Sequence, residues 1–307
     1  MRVASIDIGT NTVLLLVAEK DENGTLVAVE EHATITRLGQ GVDKTRKLAP
    51  EAVTRTNDCL DRYAEIVQRL GATKVAVVGT SAMRDAGGGE EVRAHVRSRF
   101  GVEARTISGD EEARLTFKGA LSGLSASRIG SRVAVFDIGG GSTEVVHGEP
   151  KTGRILYAHS YDVGSVRLTE RHVTSDPPSE GERAAIARTV GDAFASVPEL
   201  DVDAAPVGIA GTMTTLAAVS MKMATYDGAR VHGHTMSIGE LERVADELAR
   251  VPLSVRRDLP GLEPKRADVI VAGASIALGF LRHVKAKEVT ISDRGVRWGL
   301  AEELVAT

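Results

Sequence analysis

Cysteine is all but missing from this chain: among its 307 residues there is one, Cys59. A single cysteine excludes an internal disulfide framework and fits a reducing compartment. With Leu60 beside it in a helical pattern and no activating histidine close in sequence, Cys59 reads as a small buried hydrophobe rather than a nucleophile. Net charge is nearly missing too, since 38 basic residues stand against 42 acidic ones, for a formal charge of −4. Such a balance offers no general attraction to nucleic acid or to an anionic membrane, so a polyanionic ligand has to be met by a local basic patch. Long apolar runs are absent, and strand-like sequence from residue 2 leaves no room for a secretory leader; the expected location is cytoplasmic. Low-complexity segments are absent as well. What remains, 42% hydrophobic and 26% charged, is the composition of a folded chain long enough for two compact domains.

What the chain does have is one short pattern, twice. Residues 135–146 read Val-Phe-Asp-Ile-Gly-Gly-Gly-Ser-Thr-Glu-Val-Val, an apolar strand ending in Asp137, a turn through Gly139, Gly140 and Gly141, then Ser142, Thr143 and Glu144 opening a second strand. Glycines without Cβ atoms let backbone amides crowd against a small anion such as a phosphate. An acid just before those amides repels a phosphate unless a cation lies between them, which points to Mg2+ held by Asp137. Glu144 is either a second partner of that ion or an exposed strand residue. One such turn is also an ordinary hairpin. Residues 4–17, however, repeat the pattern: Asp7, Ile8, Gly9, Thr10, Asn11 and Thr12 sit between two apolar runs, 130 residues before the second copy. Duplication at that spacing implies two related halves, each giving one phosphate hairpin to a shared cleft.

Between the copies, periodicity predicts a third strand over 26–35, a helix over 50–70 and a buried strand over 74–79. Thr80 to Asp85 then follow the carboxyl end of a strand, where α/β sheets bind ligands. Arg84 is there either a phosphate clamp or the partner of Asp85 in a surface ion pair. A helix over 90–100 carries Arg93, His95, Arg97 and Arg99, a solvated basic face or the wall of a polyanion channel. The basic cluster Lys44, Arg46 and Lys47 either is a solvated loop or faces a phosphate chain. Ser108 and Glu111 have the spacing of a capping box. Glu112, further round the same helix and free of that task, either complements the helix dipole or orients a water.

In the second half, Ser122 to Ser131 is a connector, strands cover 145–148 and 154–161, and helices begin at Gly164 and after Ser179. Val207 to Leu216 runs from a strand through Gly211 and Thr212 into a helix N-terminus, a further anion cradle. His232 and His234 lack further metal ligands nearby and read as structural. Helices over 237–251 and 265–284, a strand over 288–292 and a last helix after Gly295 complete the chain.

Two Asp-Gly hairpins and a Gly-Thr turn resemble the actin-like ATPase fold. The stretches Phe136–Glu144, Ile107–Leu115, Thr80–Ala86, Pro260–Asp268 and Ser292–Leu300 are similar to the exopolyphosphatase and guanosine pentaphosphate phosphatase (Ppx/GppA) family, in its short two-domain form. That resemblance implies an α/β protein of two ribonuclease H-like domains flanking an active-site cleft, residues 1–126 and 127–307, with the last helix, about 295–307, packing back on the first. It implies hydrolysis of the terminal phosphoanhydride of inorganic polyphosphate, with Mg2+ or Mn2+ near Asp137, Glu144 and Asp7. By matching position Glu112 becomes the general base and Arg84 the phosphate-binding arginine. Gly9, Thr10, Asn11, Thr12, Gly139, Gly140, Gly141, Ser142, Thr143, Gly211 and Thr212 become the phosphate cradle. The family also implies a homodimer. Gly87-Gly88-Gly89 depart from relatives that continue with asparagine, and a looser loop is expected after Arg84. Removal of the 5′ phosphate of guanosine pentaphosphate (pppGpp) is the alternative activity. A non-catalytic nucleotide or alarmone sensor is the rival from another class, and a kinase the third.

Overall fold

The computed structural model describes residues 1–125, 129–198 and 204–306. The chain divides into two units, Met1–Gly119 with Val296–Thr307, and Ala120–Gly295. The expected division between residues 126 and 127 lies outside the described residues, as does the middle of the expected connector Ser122–Ser131.

The first unit is built on β1 (Arg2–Ile8), β2 (Thr12–Lys20), β3 (Leu26–Ile35), β4 (Lys74–Gly79) and β5 (Ala104–Thr106), in the order β3-β2-β1-β4-β5. The first three strands are antiparallel neighbours, whereas β4 runs parallel to β1, and β5 to β4. Helices α1 (Pro50–Arg69), α2 (Ser81–Asp85), α3 (Gly89–Phe100) and α4 (Gly109–Leu121) follow in chain order. In the second unit these are joined by α5 (Ser165–His172), α6 (Glu180–Phe194), α7 (Ala210–Ser220), α8 (Ile238–Arg250) and α9 (Ile270–His283). Helix α10 (Val296–Ala306) returns to the first unit.

Alternation decides which side chains of β1 and β2 meet which helix. Ala4, Ile6, Ile8, Val13, Leu15 and Val17 pack with Val53, Leu60, Tyr63 and Val67 on one stripe of α1. Val3, Leu16 and Ala18 point the other way, onto Trp298 and Ala301 of α10. Both faces of these strands are therefore covered, and each fully buried Leu or Ile contributes about 1.5–3 kcal/mol. Cys59 is fully buried in the same core, and burial raises its thiol pKa from 9.0.

The second unit repeats the plan. Its sheet, β6 (Arg132–Ile138), β7 (Thr143–Glu149), β8 (Arg154–Tyr161), β9 (Ala204–Ile209), β10 (Thr235–Ser237) and β11 (Glu288–Ile291), has the order β10-β11-β9-β6-β7-β8. Antiparallel β6-β7-β8 and parallel β6-β9-β11 match β1-β2-β3 and β1-β4-β5. An aromatic chain marks the core: Tyr161 against Phe194, Phe194 against Phe280, and Phe280 against Phe136, with centroids 5.3, 5.5 and 4.6 Å apart.

Two details differ from the sequence expectation. The helix expected over 265–284 starts at Ile270, because Pro264–Arg266 close a separate 3-10 turn in which the Glu263 carboxylate accepts from the Lys265 amide at 3.4 Å. At Ser108 only half of the capping box forms: its Oγ accepts from the Glu111 amide at 3.1 Å, while Arg105 takes the Glu111 carboxylate at 3.0 Å. A complete box stands instead at Ser179 and Glu182.

Candidate active site

Each unit carries its candidate residues on the carboxyl edge of its own sheet, where parallel strands hand over to helices. In the first unit Asp7, 8% exposed, is the next-to-last residue of β1, and Gly9 to Thr12 turn the chain into β2, closed by the Gly9 amide on the Thr12 carbonyl at 3.1 Å. Behind the turn, the amides of Thr36 and Arg37 donate to the Asn11 carbonyl at 3.1 and 3.0 Å, and that of Gly39 to the Thr10 carbonyl at 2.8 Å. The Asn11 side chain is 6% exposed, yet neither its Oδ1 nor its Nδ2 finds a partner among the described residues. A buried amide group left so costs about 1–3 kcal/mol, a cost that a polar ligand removes.

The adjacent strand β4 ends at Gly79, opposite Ile8, and leads through Thr80 into α2. Gly79 is needed there, since a Cβ would stand 2.7 Å from Met83 Cγ. One turn into α2, Arg84 Nη1 donates to Glu112 Oε2 and to the Ile107 carbonyl, both at 3.0 Å. Its contact with Asp85 is longer, 3.9 Å, and Asp85 accepts from Ser81 Oγ at 3.0 Å. The ion pair with Asp85, one of the two readings of Arg84 left open by the sequence, is thus the longer of these contacts. Glu112 sits in the first turn of α4, its amide on the Ser108 carbonyl at 2.9 Å, and is only 6% exposed. A carboxylate this buried has to be paired, and the arginine pairs it.

In the second unit the same turn recurs: Gly139 donates to the Ser142 carbonyl at 3.0 Å, and Ile138 faces Thr143 across the strands. Thr143 Oγ1 donates to the Val163 carbonyl at 2.6 Å. Asp137, Glu144 and Ser160 are register partners across β6, β7 and β8, and Ser160 Oγ donates to Glu144 Oε1 at 2.6 Å. Directly opposed residues of antiparallel strands project from one face about 4.5–5.5 Å apart. Two carboxylates so placed repel one another, and a divalent cation relieves that repulsion. Among the described residues no cluster of three or more His, Cys, Asp or Glu side chains could hold a metal ion. The pair nevertheless fits Mg2+, which takes one or two carboxylates and completes its shell with water and substrate phosphate.

The third turn lies beyond β9. Ala210 adopts φ 65, a left-handed conformation rare for a residue with a Cβ, and Gly211 and Thr212 open α7. Thr212 Oγ1 donates to the Ile138 carbonyl at 3.3 Å, which joins this turn to the glycine-rich one. Arg266 lies over it: a Cβ on Gly211 would stand 1.9 Å from Arg266 Nη1. Burial lowers the pKa of that guanidinium, with Glu263 and Tyr226 acting in the opposite direction. Arg266 was not singled out from the sequence. A basic residue a few positions after the Pro260-Gly261 segment is the signal the sequence carries.

The remaining basic residues group differently. On α3, Arg93 pairs with Glu90 at 2.7 Å, Arg97 with Glu103, and Arg99 with Asp61 at 2.7 Å. Each of these cations thus has an acid beside it. Lys44, Arg46 and Lys47 are exposed. The glycine stretch after Arg84 is held rather than loose: Gly87 donates to the Arg46 carbonyl and accepts from the Leu48 amide, both at 3.0 Å. His232 Nδ1 lies 3.0 Å from Asp293 Oδ1 and 3.3 Å from Ser292 Oγ, contacts of a structural histidine.

Comparison with known proteins decides what these edges belong to. Residues 16–307 match the Ppx/GppA phosphatase family. This chain belongs to that family. Exopolyphosphatase 2 of Mycobacterium tuberculosis is 38% identical over 99% of this chain and 98% of its own length. The guanosine-5'-triphosphate,3'-diphosphate pyrophosphatase of Vibrio cholerae is 28% identical, over 98% of this chain and 59% of its own. The solved structure of an exopolyphosphatase-like protein superposes with a TM-score of 0.91 at 32% identity, covering 99% of this chain and 98% of that one. The Aquifex aeolicus Ppx/GppA member gives 0.83 at 32% identity, over 100% and 98% of the two chains. The fold is accordingly the two-domain actin-like ATPase fold of this family.

Proposed function

We propose that this Ppx/GppA phosphatase releases orthophosphate from the end of inorganic polyphosphate, in a Mg2+-dependent hydrolysis for which Mn2+ can substitute. The observation that carries this reading is Glu112, a buried carboxylate 3.0 Å from Arg84 on the sheet edge that also bears the Gly9–Thr12 turn. A water attacks the terminal phosphorus and gives its proton to the Glu112 carboxylate. The bond from that phosphorus to the bridging oxygen breaks, and the chain leaves one phosphate shorter. Arg84 offsets the negative charge on the transferring phosphoryl group. Asn11, whose buried amide has polar capacity to spare, and the turn amides of Gly9 to Thr12 hold phosphate oxygens. In the second unit the amides of Gly139 to Thr143 and the turn at Gly211 and Thr212 do the same. Asp137 and Glu144 are the residues that would hold Mg2+, with Asp7 as a further candidate. Bound there, the ion supplies positive charge to the oxygens of the phosphoanhydride.

A second reading, release of the 5′ phosphate of pppGpp, draws on the Vibrio cholerae relative and needs the same groups. The proposal includes a homodimer, supported by family likeness, and a cytoplasmic location, supported by the lone cysteine and by the lack of a helix long and apolar enough to cross a membrane among the described residues. Phosphate release from long polyphosphate, tripolyphosphate and pppGpp, each with Mg2+, with Mn2+ and with chelator, is the test. Preferred release from polyphosphate supports the first reading, and preferred release from pppGpp the second. Tight binding of any of the three without release converts the protein into a sensor.

A further inference from the structure

In the second unit the glycine-rich turn is held from behind by the first turn of α5. The Gly139 carbonyl accepts from the Ser165 amide at 2.9 Å and from Ser165 Oγ at 3.2 Å. The Gly140 carbonyl accepts from the amides of Val166 and Arg167 at 2.9 and 3.0 Å, and the Gly141 carbonyl from Arg167 Nε at 2.6 Å. All three carbonyls therefore point toward α5. Because a trans peptide sets its N–H opposite its C=O, the amides of Gly140, Gly141 and Ser142 turn the other way. The approach is close, since a Cβ on Gly164 would stand 2.4 Å from the Gly140 oxygen.

The equivalent turn of the first unit uses the same device, but there the carbonyls of Thr10 and Asn11 are held by the backbone amides of Thr36, Arg37 and Gly39. The corresponding support at Gly141 is a side chain, so substitution can remove it. Arg167 is 8% exposed, and the nearby carboxylate of Asp162, 3.8 Å from Nη2, is itself well exposed. That guanidinium is buried against the Gly141 carbonyl, directly behind the glycine-rich turn. Three consecutive residues without side chains otherwise leave the Gly141–Ser142 peptide free to rotate.

We propose that Arg167 is a positioning residue of this turn: its guanidinium locks the Gly141–Ser142 peptide so that the Ser142 amide is presented to a phosphate oxygen. The proposal rests on the reading of Gly139 to Ser142 as a phosphate cradle. It acts through the backbone, from behind Gly141.

The test uses the full chain with tripolyphosphate and reads two quantities: kcat and KM for phosphate release, and the Kd for tripolyphosphate without divalent cation, by calorimetry. Arg167→Met keeps the length of the stem and removes the donors. Arg167→Lys restores one donor and the charge. Val190→Ala, which thins the core where Val190 packs on Gly279, controls for loss of stability alone. The expected result is a rise of tenfold or more in KM and Kd for Arg167→Met with a smaller change in kcat, and partial recovery in Arg167→Lys. Val190→Ala melts earlier with kcat/KM within twofold of the parent. Should Arg167→Met not fold, a threefold to tenfold rise in Kd for Arg167→Lys is the expected result. Kd within twofold of the parent in every folded Arg167 variant overturns the proposal, whatever the parent hydrolyses. Absence of phosphate release from the parent, with tripolyphosphate binding that still depends on Arg167, removes the hydrolase reading and leaves the positioning role standing.

Discussion

Replacing Glu112 by glutamine separates chemistry from binding within one side chain. Glutamine has the shape of glutamate and keeps an oxygen where Arg84 Nη1 now donates at 3.0 Å. What it loses is the capacity to accept a proton from water. A general base contributes about 10²–10⁴ in rate, which at about 1.36 kcal/mol per tenfold raises the barrier by roughly 2.7–5.4 kcal/mol. The change in stability is smaller. A charge-assisted bond worth about 1.5–3 kcal/mol becomes a neutral one worth about 0.5–1.5, a loss near 1 kcal/mol that the 26% exposure of the Arg84 side chain trims further. Substrate affinity holds or rises, because a carboxylate no longer repels the incoming phosphates. Phosphate release under saturating tripolyphosphate gives kcat, and calorimetry with the same ligand gives affinity. A kcat within threefold of the parent would refute the assignment of Glu112 as base, and a kcat loss matched by an equal loss of affinity would recast it as a binding residue.

Arg84→Ala removes the cation 3.0 Å from the buried Glu112 carboxylate; stability should fall by about 1–3 kcal/mol, with kcat/KM down about 10²–10³. Thermal melts then place the Arg84→Ala, Glu112→Gln double variant above Arg84→Ala alone, and the reverse order counts against the pairing. Asn11→Ala removes a buried amide that has no partner among the described residues, so its melting midpoint should not drop while KM for tripolyphosphate rises about tenfold. A lower midpoint with unchanged KM would make Asn11 structural. Glu182 receives bonds from Ser175, then from Thr174 and Ser179, which hold its carboxyl far below the ordinary 4.5. A carboxylate depressed in the folded state stabilises fully above its unfolded pKa and progressively less as pH falls below it. The advantage of the parent over Glu182→Gln in thermal melts should therefore be largest near neutral pH and shrink below pH 4.5; an equal advantage at pH 7 and pH 2.5 contradicts this.

The parts of the fold that were legible in the sequence are those written in neighbouring residues. An acid, a run of small residues and flanking apolar alternation specify a strand, a turn and a strand within twelve positions, and the repeat of that pattern announced two sheets with one topology. The amphipathic stripe of α1 was readable for the same reason. Glu112 was different, for its local spacing favoured dipole complementarity, and its role entered through family resemblance. Contacts across long loops were not legible. The acids that neutralise Arg97 and Arg99, Glu103 and Asp61, stand on other segments, so the basic helix could not be told from a channel wall. Arg167 meets Gly141 across 26 residues, and Arg266 meets Gly211 across a longer interval still. The start of α9 failed locally, because a glutamate and a proline closed a tighter turn where helical periodicity ran on.

Hydrolysis of tripolyphosphate in water enriched in oxygen-18, followed by mass analysis of both products, addresses the attack on the terminal phosphorus most directly. One labelled oxygen in each released orthophosphate, with unlabelled pyrophosphate, is the result expected of a water aimed by Glu112. Label in the pyrophosphate, or no product until an acceptor other than water is added, would contradict it.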